Sequence, residues 1–154
     1  MPGRGMTRLY LDVCCLNRPF DDQSQDRIRL EAEAVRVILV RLQAGDWHWT
    51  GSEVINLEIE RTPDAERRSR VRLIAQRAHD SVLVGPAEVA RGQELERVGF
   101  RAFDALHLAC AEAAGVDVFL TTDDDLLRKA SRHKSALRVR VANPLLWSRE
   151  TGAL

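Results

Sequence analysis

Gly115-Val-Asp-Val-Phe-Leu-Thr-Thr-Asp-Asp-Asp125 is the stretch whose reading decides the fold. Val116 to Leu120 is the clearest strand, apolar except for Asp117 and bounded before by a glycine and after by hydroxyl and acidic residues. The carboxylates that follow suit the first turn of a helix, where the helix dipole favours negative charge. The pattern predicts a helix from about Asp123 to His133. Upstream, the small residues from Asp104 to Ala114 read as a helix closed by Gly115. The unit is therefore helix, strand, helix.

The same alternation extends outward in both directions. A last strand is predicted at Arg138 to Val141, and Asn143-Pro144 ends the regular pattern. Toward the start, Arg8 to Val13 reads as a buried strand ending near Asp12. A helix from about Arg27 to Ala44 follows, with Ile28, Val35, Ile38, Leu39 and Leu42 as its apolar stripe and Gly45 as its stop. Trp47 to Thr50 is a short strand leading into a helix that starts near Ser52. Thr62-Pro63 supplies an N-cap and a first-turn proline for a helix to about His79. Ser81 to Val84 is another short strand, and Gly85-Pro86 opens the next helix. Strands alternating with helices of this length imply a parallel sheet covered on both faces. Ligands of such a sheet bind beyond the carboxyl ends of the strands, where the strand order switches. Asp12 and Asp123 both fall just past predicted strand ends.

The 154-residue chain has 45% hydrophobic residues, 9 Gly and 5 Pro, the composition of a folded globular protein rather than a disordered or repetitive one. One domain is expected at residues 7–146, with 1–6 and 147–154 as terminal extensions. No apolar run reaches the length of a membrane span, and the start lacks the apolar stretch of a signal peptide, so a cytoplasmic protein without membrane contact is expected. Cys14, Cys15 and Cys110 show neither CxxC nor zinc-ribbon spacing and are read as reduced thiols, the first two as packing. The 23 basic residues balance the 23 acidic ones, so any attraction to a polyanion must be local.

Acidic side chains occur in four separated places that this topology draws together: Asp12, Glu53 with Glu58, Asp104, and Asp123 to Asp125. Gathered carboxylates repel one another, and a divalent cation relieves that repulsion. Magnesium and manganese accept carboxylate oxygens and keep open positions for water and phosphate. Taken singly, Asp124, Asp125 and Glu53 also suit the first turns of helices without any active site. Asp104 lies among apolar residues, where an unpaired carboxylate is costly, and needs a partner or a metal. His107, three residues on and on the same helical face, either hydrogen-bonds in the site or is a satisfied core histidine, the commoner outcome. Arg128, Lys129, Arg132 and Lys134 lie in a segment without acids and are candidates for RNA phosphates. The alternative for each of them is a solvated helix face.

Leu9-Tyr-Leu-Asp12, Ser52-Glu-Val-Ile-Asn-Leu-Glu58, Phe103-Asp104-Ala-Leu-His-Leu-Ala and Phe119-Leu-Thr-Thr-Asp123 together resemble the ordered acidic motifs of PIN-domain nucleases, over about Thr7 to Leu146. The resemblance implies a three-layer α/β/α sandwich with a central, mainly parallel sheet, and a magnesium- or manganese-dependent ribonuclease acting on single-stranded RNA. Carried over by position, the site carboxylates are Asp12, Glu58, Asp104 and Asp123. Asp12, Asp104 and Asp123 are then the main metal ligands, with Thr121 a supporting hydroxyl and His107 and Asp125 nearby. Many small bacterial PIN proteins are the toxin half of VapBC-type pairs, which implies a cognate antitoxin and a homodimer. Two other outcomes fit the same motifs: a PIN nuclease of RNA processing, and a non-catalytic RNA- or protein-binding module. The chain departs from the family where Val13 and Cys14 stand in place of a small hydroxyl residue and Asn, for which Asn17 is the nearest substitute. Glu53 competes with Glu58 as the site glutamate.

Overall fold

The computed structural model describes residues 5–154, so the first four residues of the expected N-terminal extension lie outside the described residues. Among the described residues the strands are β1 (Arg8–Leu11), β2 (His48–Ser52), β3 (Asp80–Val82), β4 (Val118–Leu120) and β5 (Arg140–Ala142). They form one parallel sheet in the order β3-β2-β1-β4-β5. The helices are α1 (Val13–Asn17), α2 (Asp26–Gln43), α3 (Glu53–Glu60), α4 (Ala65–Ala75), α5 (Pro86–Val98), α6 (Ala102–Ala113), α7 (Asp124–Arg132) and α8 (Pro144–Glu150). This is the expected α/β sandwich. Leu9, Tyr10 and Leu11 are all buried, as the central strand of a parallel sheet requires.

The chain steps from β1 outward to β2 and β3, then returns to lay β4 on the other side of β1. The switch in strand order therefore lies between β1 and β4. Asp12 follows β1 directly, and its amide donates to the carbonyl of Leu120 at the end of β4, 2.9 Å away. The strand switch, where topology alone places a ligand crevice, thus lies beside Asp12.

Val35, Ile38 and Leu42 of α2 are buried, so its stripe is core. Gly115 has φ +67 after α6, a left-handed conformation that glycine adopts without steric cost and that closes the helix as expected. Three local expectations are corrected. The chain turns into α1 immediately after Asp12, because that side chain accepts from the Val13 amide as an N-cap. The cap of α4 is Asp64, which accepts from the amides of Glu66 and Arg67, rather than Thr62. Asn143-Pro144 starts a helix instead of ending the pattern: Asn143 accepts from the amides of Leu145 and Leu146, and Pro144 occupies the first turn. Trp147, placed in the C-terminal extension, is buried and packs edge-to-face on Trp47 with ring centroids 4.8 Å apart. No helix of the described residues is long and apolar enough to cross a membrane.

Candidate active site

Asp12 is 5% exposed, and both carboxylate oxygens are held. Oδ1 accepts from the Val13 amide at 2.8 Å; Oδ2 accepts from the Thr121 hydroxyl at 2.8 Å and from the Cys14 thiol at 3.4 Å. Burial pushes its pKa up and Glu58 adds to that, while the hydrogen bonds from Thr121 and Cys14 oppose it. Thr121 Oγ1 also accepts from the Asp123 amide at 3.1 Å, so the buried hydroxyl ties the ends of β1 and β4 together.

Asp123 caps α7, with Oδ1 accepting from the amides of Asp125 and Leu126 at 2.9 and 3.3 Å. Its other oxygen has no partner among the described residues. Glu58, on the last turn of α3, meets His107 of α6, with Oε1 and Nε2 2.7 Å apart. One ligand-type atom each from Asp12, Glu58 and His107 lie within 4.8 Å of one another, which sets the Glu58–His107 pair beside Asp12. Asp104 and Asp123 stand outside that tight triangle. They remain close enough that Asp12, Asp123 and Glu58 all act on Asp104.

Asp104 is the decisive residue. It is half-buried on the first turn of α6, and no hydrogen bond or ion pair to it occurs among the described residues. Burial, followed by repulsion from Asp12 and Asp123, pushes its pKa up to about 6. The cost anticipated from the sequence is present, and no hydrogen bond or ion pair among the described residues offsets it. A set of oxygen donors in this state fits a hard divalent cation such as Mg2+ or Mn2+.

The remaining sequence candidates are distributed differently. Glu53, at the opposite end of α3 from Glu58, accepts from the Val84 amide at 2.6 Å and anchors the loop before α5. Asn17 donates to the Val13 carbonyl at 3.2 Å and belongs to the end of α1, not to the carboxylate group. Asp125 pairs with Lys129, Arg101 and Arg128 at 3.1, 3.3 and 3.7 Å, and Lys129 draws its pKa down. Asp124 takes both Arg27 guanidinium nitrogens at 2.7 Å. Of the three consecutive aspartates only Asp123 belongs to the crevice. Arg132 and Lys134 have no acidic partner among the described residues; α7 runs back along the sheet, so Arg132 at its end stands about 12 Å from its first residue.

Three contributors were missed from sequence. Cys15 is fully buried packing as expected, but Cys14 is half-buried in the site, 3.3 Å from Thr121 Oγ1. Tyr10 and Ser52 connect to His107 through the core. Alternation along β1 marks Tyr10 only as interior, and Ser52 reads only as the cap of α3, which it also is.

An all-parallel sheet that gathers carboxylates from the end of β1, α3, α6 and the start of α7 at its strand switch defines an α/β protein with an acidic cluster there. Residues 10–132 match the PIN domain family, and the chain belongs to that family. PIN domains are in general metal-dependent nucleases. No curated protein matches the chain. Among solved structures it resembles FitAcB from Neisseria gonorrhoeae, at 17% identity and TM-score 0.55, covering 88% of this chain and 97% of that one. It also resembles VapBC2 from Rickettsia felis bound to a DNA fragment from their promoter, at 13% identity and TM-score 0.58, covering 88% and 98%. At these identities the likeness is one of fold.

Proposed function

We propose that the chain is a divalent-metal-dependent ribonuclease cleaving single-stranded RNA, the toxin of a toxin–antitoxin pair. The observation that carries the proposal is the unpaired Asp104 carboxylate facing Asp12, Asp123 and Glu58. Asp12, Asp104 and Asp123 would hold Mg2+ or Mn2+, with Glu58 completing the set or orienting water. Bound there, the ion would lower the pKa of a water and neutralise charge developing on the phosphodiester. The chain's own part is positional: Thr121 and the Val13 amide hold Asp12 in one rotamer, and capping of α7 holds Asp123. Purified protein should cleave single-stranded RNA with Mg2+ or Mn2+, lose that activity in chelator and regain it on metal addition. Inactivity across both metals, in protein that binds RNA, would leave the non-catalytic module as the reading.

The antitoxin proposal is supported by the likeness to two structures that are themselves complexes, FitAcB and VapBC2. A homodimer, the assembly expected from the sequence resemblance, is proposed as well, with the oligomeric mass in solution as its test. RNA is proposed to leave the crevice along α7, where Arg128 and Lys129 flank Asp125, toward the unpaired Arg132 and Lys134. Each phosphate neutralised on a single strand contributes about 0.7 to the slope of log affinity against log salt. Arg132→Glu with Lys134→Glu should therefore weaken RNA binding and flatten the slope by roughly 1.4. Unchanged affinity and slope would place the RNA path elsewhere.

A further inference from the structure

A continuous line of hydrogen bonds runs through the core from one end of α3 to the other. The Ile55 amide donates to Ser52 Oγ at 3.3 Å, Ser52 Oγ is 2.7 Å from Tyr10 Oη, and Tyr10 Oη is 2.6 Å from His107 Nδ1. His107 Nε2 is 2.7 Å from Glu58 Oε1. Ser52, Tyr10 and His107 are buried to 2% exposure or less, and the Tyr10 ring is stacked on Phe119 with centroids 5.1 Å apart. Both ends of the line belong to α3, so β1 and α6 clamp that helix at its cap and at its last turn.

The chemistry of the two ends sets its direction. An amide N–H can only donate, and a carboxylate can only accept. With a neutral ring, a bare Nε2 would set its lone pair against the Glu58 carboxylate, so the proton belongs on Nε2 and Nδ1 must accept. The Tyr10 hydroxyl then donates to Nδ1, and the Ser52 hydroxyl donates to Tyr10. Burial pushes the Tyr10 pKa well above its usual value, which keeps that hydroxyl a donor. All the donors point toward Glu58, the arrangement in which successive hydrogen bonds polarise one another.

We propose that His107 is a positioning residue, held in its Nε2–H tautomer by Tyr10 and Ser52 so that it fixes the Glu58 carboxylate in the crevice beside Asp12. The proposal rests on the nuclease reading for its consequence, which is metal affinity. Partners that orient a metal ligand from outside the coordination sphere are commonly worth 10- to 100-fold in affinity.

Two measurements on the full chain test it. Nitrogen-15 NMR of the four ring systems at neutral pH should give His107 a protonated Nε2 and a bare Nδ1; the opposite tautomer, or a doubly protonated ring, overturns the relay. Independently, Mn2+ affinity is measured by electron paramagnetic resonance in a cycle of Tyr10→Phe, Glu58→Gln and the double variant. Tyr10→Phe keeps the ring on Phe119 and removes only the hydroxyl. It should weaken Mn2+ binding about 10-fold in the wild-type background and not further in Glu58→Gln, because it acts through that carboxylate. Equal losses in both backgrounds, or none in either, would make the line merely structural. A wild-type chain that does not bind Mn2+ fails the nuclease reading instead, and the tautomer still decides the relay.

Discussion

In chelator at pH 7.5, Asp104→Asn should melt above the wild type while losing RNA cleavage. The folded-state pKa of Asp104 is raised from 3.8 to about 6 by burial and by its acidic neighbours. A carboxyl that binds its proton more tightly when folded adds stability below its unfolded pKa. That contribution is lost as pH rises through the folded value, so the window lies between about pH 4 and 6. At 1.36 kcal/mol per unit the full penalty at neutral pH is at most about 3 kcal/mol, and screening of the exposed part brings it nearer 2. For a chain of this length that corresponds to roughly 4–8 °C in Tm. The variant carries no charge at this position and escapes the penalty, so the two melting curves should converge as pH falls to 4. Saturating Mg2+ or Mn2+ should reverse the order, since ligation of the folded state adds about 2.7 kcal/mol at a hundredfold excess over Kd, and the variant gains less. Thermal melts of both proteins across pH 4 to 8, with chelator and with metal, are the measurement. Strong destabilisation of Asp104→Asn without metal would make Asp104 a structural carboxylate and remove it from the metal site.

The fold was legible because local and global signals agreed. The apolar run before Thr121 and the buried run before Asp12 became adjacent central strands, and the carboxylates after them fell at the strand switch. The positions of Asp12, Asp104 and Asp123 follow from that register and from one helix phase, all of which periodicity reports. What periodicity does not report is the long-range partner of a side chain. Nothing local to Tyr10, Ser52 or His107 says that they join, because their separations are 42 and 97 residues along the chain. Glu53 and Glu58 occupy one helix and compete in sequence. Only the packing of the β3–α5 loop, which takes Glu53 for the Val84 amide, separates them. Cys14 was assigned to packing by its neighbours in sequence, yet the turn into α1 brings its sulfur to Asp12 and Thr121.

Glu31 is a buried carboxylate with partners of the opposite kind, and its substitution should have the opposite effect. It sits in α2 on the apolar stripe side, 1% exposed, where periodicity alone would mark it as an error. Three groups from separate segments meet it. Asn143 Nδ2 donates at 2.7 Å and Arg27 Nε at 3.2 Å, while Arg18 Nε stands 3.0 Å away as an ion-pair contact misaligned for a hydrogen bond. Asn143 is also the cap of α8, so this carboxylate couples α2 to the C-terminal helix and to the turn after α1. Removing one partner of a buried charge set strands the others, at a cost of about 3–5 kcal/mol where no alternative exists. Arg18 keeps Asp21 at 3.1 Å and Arg27 keeps Asp124, so the loss for Glu31→Leu should fall at the low end, about 3 kcal/mol. Glu31→Gln retains an acceptor for Asn143 and should lose about half as much. Neither change touches the crevice, so metal-dependent cleavage at temperatures where the variants stay folded should persist. Urea melts at pH 7.5 in chelator provide the comparison with Asp104→Asn: Glu31 is held by cations and an amide, whereas Asp104 has no ion-pair partner among the described residues and is repelled by Asp12, Asp123 and Glu58. A Glu31→Leu variant as stable as the wild type would mean that Arg18, Arg27 and Asn143 find equivalent partners without it, and that α8 does not depend on this contact.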